Sequence, residues 1–188
     1  MKIAITCHHF NPFKGGMEKY TYFLSNALGS AGHKVHVFAN TFKDNPNLVY
    51  HHVPMIRLSN PGKNLSFAYF LKKRLQREKF DIVHSMERVF EQDIYRVSDG
   101  INPVQVKQRY ANPRVRKIKN AGPRRQVMNY LEKKIFVNGG CRRIMTNSNL
   151  IKTHILQHYP VDPGKISVIY NGVDTDRKST RLNSSHYS

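Results

Sequence analysis

The sequence has no tryptophan, two cysteines and only 12 acids in 188 residues. Two thiols, Cys7 and Cys141, make neither a disulfide framework nor a metal-binding spacing. Both read as buried thiols in a reducing compartment. No apolar run approaches the roughly 20 residues that a bilayer-crossing helix needs. Met1-Lys2 and the short strand-like run after it lack the longer apolar segment of a signal peptide. No G-x-G-x-x-G occurs, which removes the dinucleotide fingerprint. The scarcity of acids leaves 31 lysines and arginines unbalanced, for a formal charge of +19. Such an excess calls for a polyanionic neighbour: nucleic acid, an anionic membrane surface or a phosphorylated substrate. It does not choose among them.

What is present is organised around Asn11-Pro12-Phe13-Lys14-Gly15-Gly16-Met17-Glu18. An apolar run, Ile3-Ala4-Ile5-Thr6, precedes it, and a segment with Met17, Tyr20, Leu24, Ala27, Leu28 and Ala31 on one helical face follows. Strand, glycine turn, helix is a geometry that aims free backbone N–H groups at an anion. The glycines Gly15 and Gly16 would let a phosphate approach without meeting a Cβ. The plain alternative is a tight βα turn with no ligand.

Further strands are expected at Val35–Ala39, Leu48–Val53, Phe80–His84, Ile94–Val97, Arg143–Thr146 and Ile166–Tyr170. Helices fall between them. One carries Leu65, Ala68, Leu71 and Leu75, one runs from Arg124 to a glycine stop at Gly139-Gly140, and one is capped by Ser148. This alternation predicts an α/β, doubly wound, mostly parallel sheet, with its ligand crevice beyond the carboxyl ends of the strands. Gly15-Gly16, Asp99 and Ser148 all belong to that edge. Asp99, before Gly100, also suits a plain turn, and Glu18 suits the positive end of its helix.

The alternation breaks between about Pro103 and Lys134. There Lys107, Arg109, Arg114, Arg116, Lys117, Lys119, Arg124, Arg125, Lys133 and Lys134 face one acid, Glu132. Tyr110 and Tyr130 are interleaved, and Pro103, Pro113 and Pro123 keep the stretch from being one continuous helix. Near an anionic leaflet each such cation contributes about 1 kcal/mol. A membrane-docking patch is favoured over a solvated face. The histidine pairs His8-His9 and His51-His52, with His33 and His84, have no acid or cysteine spacing for a closed metal site, and no metal is expected.

These pieces resemble the N-terminal halves of GT-B glycosyltransferases of the subfamily 4 kind, and within them the α-glucosyltransferases of the lipopolysaccharide inner core. The resemblance rests on Gly15-Gly16-Met17-Glu18, on Gly32-His33-Lys34-Val35-His36-Val37 and on Val168-Ile169-Tyr170-Asn171-Gly172-Val173-Asp174. Pro12-Phe13 before the glycine pair, an acid at Asp99 and the basic insertion add to it. It covers residues 1–175 and implies a Rossmann-like, acceptor-side domain whose partner domain, holding most of a nucleotide-sugar donor, is missing here. By that likeness Gly15 and Gly16 would contact the donor diphosphate, and Asp99 would orient or deprotonate the acceptor hydroxyl. Transfer would retain anomeric configuration and require no metal or other cofactor. The donor would be a UDP-sugar and the acceptor a membrane-associated glycolipid. The enzyme would lie in the cytoplasm, peripheral on the inner face of the membrane, with Lys107, Arg109, Arg114, Arg116, Lys117, Lys119, Arg124 and Arg125 as membrane contacts.

Residues 176–188 have no apolar period and look like translated sequencing adapter, outside any fold argument. A chain ending there is expected to be inactive alone. Two other readings remain. A basic nucleic-acid-binding module has the charge but no recognised motif, so no nucleic-acid partner is expected. A dinucleotide-dependent α/β enzyme lacks both the fingerprint and the acid about 20 residues beyond it.

Overall fold

The apolar runs of the sequence become strands, and the periodic segments between them become helices, in the computed structural model. It describes residues 1–43, 46–56 and 59–172. Val173-Asp174 and the stretch read as adapter lie outside the described residues. In chain order come β1 (Lys2–Thr6), β2 (His9–Phe10), α1 (Gly16–Ser30), β3 (Lys34–Ala39), β4 (Thr41–Phe42) and β5 (Val49–His52). Then follow α2 (Asn60–Leu75), β6 (Ile82–Ser85), β7 (Gln92–Val97), α3 (Asn102–Arg109), α4 (Pro113–Asn120) and α5 (Pro123–Phe136). The chain continues with β8 (Cys141–Thr146), α6 (Asn149–His158) and β9 (Ile166–Val168).

The main sheet has seven parallel strands in the order β5-β3-β1-β6-β7-β8-β9. The chain winds one way from β1 through β3 to β5 and the other way from β6 onward, so the topological switch lies between β1 and β6. That is the place such sheets offer a ligand, outside the strand carboxyl ends. Strand β1 is central and covered on both faces, which is why Ile3-Ala4-Ile5 reads as an unbroken apolar run. On one face Ile3, Ile5, Val35 and Val37 pack under Met17, Tyr20, Leu24 and Leu28 of α1. On the other, Ala4 and Phe38 join Phe67, Ala68 and Leu71 of α2 and Leu131 of α5. Helix α1 also buries Thr21 and Ser25, whose hydroxyls donate to Met17 O and Thr21 O at 2.7 and 2.8 Å. Two polar side chains thus close on their own helix rather than remaining unpaired.

The basic insertion is helical: α3, α4 and α5 each carry proline, Pro103, Pro113 and Pro123, within their first two positions. Proline lacks the N–H that a first turn cannot use, so it starts each helix as effectively as it stops the one before. Between β6 and β7 the chain crosses through residues 86–91 with no helix at all. The Ser85 hydroxyl tightens that crossing, accepting from Thr6 Oγ1 at 2.7 Å and from Glu87 N at 3.1 Å. At Gly140 any Cβ would lie 2.4 Å from Phe90 O and 2.7 Å from Lys134 O, so only glycine fits between the crossing and α5. Boundaries differ from expectation by a residue or two, and the side pair β2–β4 falls outside it, being too short to show a period.

Candidate active site

Gly15, the residue before helix α1, has extended backbone (φ −175°, ψ 177°) and offers no side chain to cap the first N–H groups. Any residue can adopt that conformation. What the glycines supply is therefore bareness rather than backbone freedom. Both are exposed, and a Cβ built on Gly16 would meet nothing within 4 Å. A Cβ on Gly15 would come within 2.6 Å of Glu18 Oε2. The Glu18 carboxylate thus lies over the positive end of its own helix, as the dipole favours. An incoming anion has to turn it aside, which a flexible side chain allows.

Asp99 follows the carboxyl end of β7, in a turn closed by Gly100 at φ +80°. The preceding residue ties this turn to α1: Ser98 Oγ lies 3.5 Å from Met17 Sδ. Met17 follows Gly16 directly, so the turn carrying Asp99 and the glycine loop abut. Ser148, from the same strand edge, is used structurally: its hydroxyl accepts from Ile151 N at 3.3 Å and caps α6. Asn147 beside it donates to Ser98 O at 3.4 Å. Asp99 is 63% exposed, with Arg88 Nη2 3.6 Å from its carboxylate and Gln105 Nε2 donating to its carbonyl at 2.7 Å. An exposed carboxylate can accept a proton from, or orient, a hydroxyl.

Beneath the turn lies a buried ionic network. Arg88 Nε donates to Glu132 Oε1 at 2.8 Å, and Arg88 Nη2 donates to Gly100 O at 2.8 Å. Tyr159 OH donates to Glu132 Oε2 at 2.6 Å, and Asn102 N donates to Oε1 at 2.8 Å. Burial opposes the Arg88 charge, but the Glu132 and Asp99 carboxylates outweigh it and hold the proton more firmly than usual. Burial, then Glu132, pushes the Tyr159 hydroxyl well above its ordinary value, so it stays a donor. Glu132, the one acid of the basic insertion, has a fully buried side chain. The sequence shows its charge but not its burial, which depends on α5 packing behind the β7 turn.

At the switch point itself sits a pair that sequence reasoning missed. His8 Nδ1 lies 2.9 Å from Glu87 Oε1, and His8 N donates to the same oxygen at 3.4 Å. Burial raises the Glu87 carboxyl, but the His8 contacts and Arg88 outweigh it and bring it below the usual range. The available signal was positional: each residue stands two places beyond the end of a parallel strand, β1 or β6. Arg96 is another buried cation, with its guanidinium 3.7 Å from the centre of the Tyr20 ring. Its Nη2 donates to Asn171 Oδ1, which ties that residue back to the sheet. A cavity of about 310 Å³ lined by Leu71, Leu75, Val83, Phe90 and Gln92 opens at the opposite edge and contains no candidate residue.

In the basic insertion Lys107, Arg109, Arg114, Lys117, Lys119 and Arg124 are exposed, and Arg116 is half-buried. Val115 and Ile118 of α4 are exposed among them, Ile118 at 71%. Arg125 differs: its Nη1 donates to Asn102 Oδ1 and packs α5 on α3. No described helix is long and apolar enough to cross a membrane.

The Glycosyltransferase Family 4 model matches residues 14–91 and 105–177, well over half of the chain. The chain belongs to glycosyltransferase family 4. The match embraces the glycine loop, α1 and most of the basic insertion. Among solved structures, WaaG, a glycosyltransferase involved in lipopolysaccharide biosynthesis, superposes with a TM-score of 0.83 at 19% identity, over 95% of this chain and 47% of that one. Sucrose-phosphate synthase from Thermosynechococcus elongatus superposes with a TM-score of 0.61 at 15% identity, over 92% of this chain and 48% of that one. The chain thus spans about half the length of these structures, and what it shares with them is the fold of a GT-B N-terminal domain. Comparison with curated protein sequences gives no match.

Proposed function

We propose that this family 4 domain is the acceptor-side half of a retaining glycosyltransferase that moves a sugar from a nucleoside-diphosphate donor, such as a UDP-sugar, to a membrane-associated glycolipid. Lipopolysaccharide core is the acceptor class most in keeping with the likeness to WaaG. The observation that carries the reading is the abutment of two turns, with Ser98 Oγ 3.5 Å from Met17 Sδ. That contact supports a site in which a carboxylate and uncapped amides at a helix start would serve one substrate pair. When the glycosidic bond to the donor breaks, negative charge grows on the departing diphosphate. Fixed N–H dipoles at Gly15, Gly16 and Met17 would stabilise that charge without reorganising. Asp99 would hold or deprotonate the acceptor hydroxyl from the facing turn, and the Arg88–Glu132 network would keep that turn in place.

The exposed cations of α3–α5, with Ile118 and Val115 among them, supply a surface suited to an anionic leaflet. A peripheral position on the cytoplasmic face of the membrane follows from that reading. No metal is assigned to the transfer step. Turnover is expected only with the remaining half of a GT-B enzyme, so the 188 residues alone should be inactive. The test is sugar transfer from a labelled UDP-sugar to a lipid-linked acceptor, by this chain alone and by the same chain joined to a family 4 C-terminal half. Activity only in the joined protein, lost on Asp99→Ala, supports the proposal. Transfer by the 188-residue chain, or an unaffected Asp99→Ala, contradicts it.

A further inference from the structure

Away from the proposed transfer site, three side chains from three separate segments converge beside the amino ends of β1 and β6. His36 Nδ1 lies 2.8 Å from His51 Nε2 and 3.7 Å from Glu78 Oε2. One ligand atom from each of His36, His51 and Glu78 falls within 4.8 Å of the others. His36 comes from β3, His51 from β5 and Glu78 from the turn before β6. Lys2, the first residue of β1, pairs with Glu78. The glycine loop follows the other end of β1, roughly 13 Å of strand away.

We propose that His36, His51 and Glu78 form a binding site for a divalent transition metal ion of the zinc class, with a fourth position open to water. Two imidazoles and one carboxylate are a donor set that suits such an ion. Ligands about 2.05 Å from a tetrahedral zinc stand about 3.3 Å apart. The observed 2.8 and 3.7 Å bracket that spacing for the two pairs that include His36, and all three ligand atoms lie within 4.8 Å of one another. Burial holds both imidazoles below their ordinary proton affinity, with Glu78 opposing, so each reaches neutral pH unprotonated. A neutral imidazole is the form that ligates.

The surroundings fix the rings. His51 stacks on Phe38 with centroids 4.3 Å apart, and Phe80 packs edge-on against His36 at 5.2 Å. His36 Nε2 is buried with no hydrogen-bond partner, so only the Nδ1 edge of that ring is available to a ligand. Two features moderate the affinity. His36 lacks the outer acceptor that usually braces a metal-bound histidine, and the Lys2 ammonium competes for Glu78. Spacing along the chain could not show this site, because its members stand in three segments joined only by strand pairing.

Zinc titration of the untagged 188-residue chain by calorimetry tests the proposal, with cobalt(II) absorption as the spectroscopic readout. The expected result is one equivalent of zinc and visible bands of low-coordinate cobalt, with binding weakened about 100-fold by His51→Gln and by Glu78→Gln. Lys2→Met removes the competitor and should tighten zinc about tenfold, a gain that misfolding cannot produce. Absence of a one-equivalent event overturns the proposal. So does zinc binding that survives both ligand substitutions, which would assign it to other histidines such as His8 and His9, or a Lys2→Met chain that binds no tighter.

Discussion

Ser98 and Met17 touch, hydroxyl to sulfur at 3.5 Å, across a sequence separation of 81 residues. Through that contact the turn at the end of β7 meets the first turn of α1. Asp99 and Gly16 each stand one residue from that contact. If Asp99 serves the acceptor hydroxyl, Asp99→Asn should lower transfer by about 10²–10⁴ in an enzyme carrying both halves. The fold should lose little, since the side chain is 63% exposed and Arg88 keeps Glu132 and Gly100 O as partners. Steady-state rates beside a thermal melt check both parts.

Glu132→Ala should have the opposite profile. It strands the buried Arg88 guanidinium and removes the acceptor of Tyr159 OH and Asn102 N. A broken buried pair costs about 3–5 kcal/mol. Urea denaturation of the chain should show a loss of that size. A shift within experimental error would mean that the network is not what holds the Asp99 turn.

Stability should fall as the medium becomes acidic from pH 6.5. Burial, then the charge of Arg96, pushes His84 down to about 4 from its ordinary 6.5. Between those values the unfolded chain binds a proton that the folded chain refuses, so stability rises with pH across the window and is lost on descending it. The contribution reaches about 3 kcal/mol at the acid end. His84→Leu should flatten much of the slope, and His36 and His51, lowered by burial in the same direction, should leave a residue of it. Denaturation midpoints at several pH values measure this directly.

Vesicle binding should depend on the exposed cations of the insertion and not on Arg125. Lys117→Gln, Lys119→Gln and Arg124→Gln together remove three contributions of about 1 kcal/mol each, or ~100-fold in partitioning to anionic vesicles. Ile118→Ser should weaken it further, and neutral vesicles should bind little in every case. Arg125→Gln should instead lower stability, because its guanidinium joins α5 to α3 through Asn102. Sedimentation with phosphatidylglycerol-containing vesicles separates these outcomes.

Much of the fold was legible in the sequence because its signals are local. Ile3-Ala4-Ile5 announces a strand buried on both faces, and Met17, Tyr20, Leu24 and Leu28 announce the helix face that covers it. Pro103, Pro113 and Pro123 mark real helix boundaries, although the helices they open were expected only in part. What stayed hidden was whatever depends on strand order. The contact of Ser98 with Met17 requires β7 to lie two strands from β1 with its turn meeting α1. Glu132 reads as a lone acid in a basic insertion until α5 is placed against the β7 turn. His8 and Glu87 meet only because β1 pairs with β6.

The most direct test of the glycine loop is a ¹⁵N-labelled NMR titration of the chain with UDP and with pyrophosphate. The expected result is saturable movement of the Gly15, Gly16, Met17 and Glu18 amide signals, with the Ser98–Gly100 turn responding beside them and Glu18→Gln strengthening the effect. Still amides at Gly15 and Gly16, with the ligand shifting only the lysines and arginines of α3–α5, would contradict it.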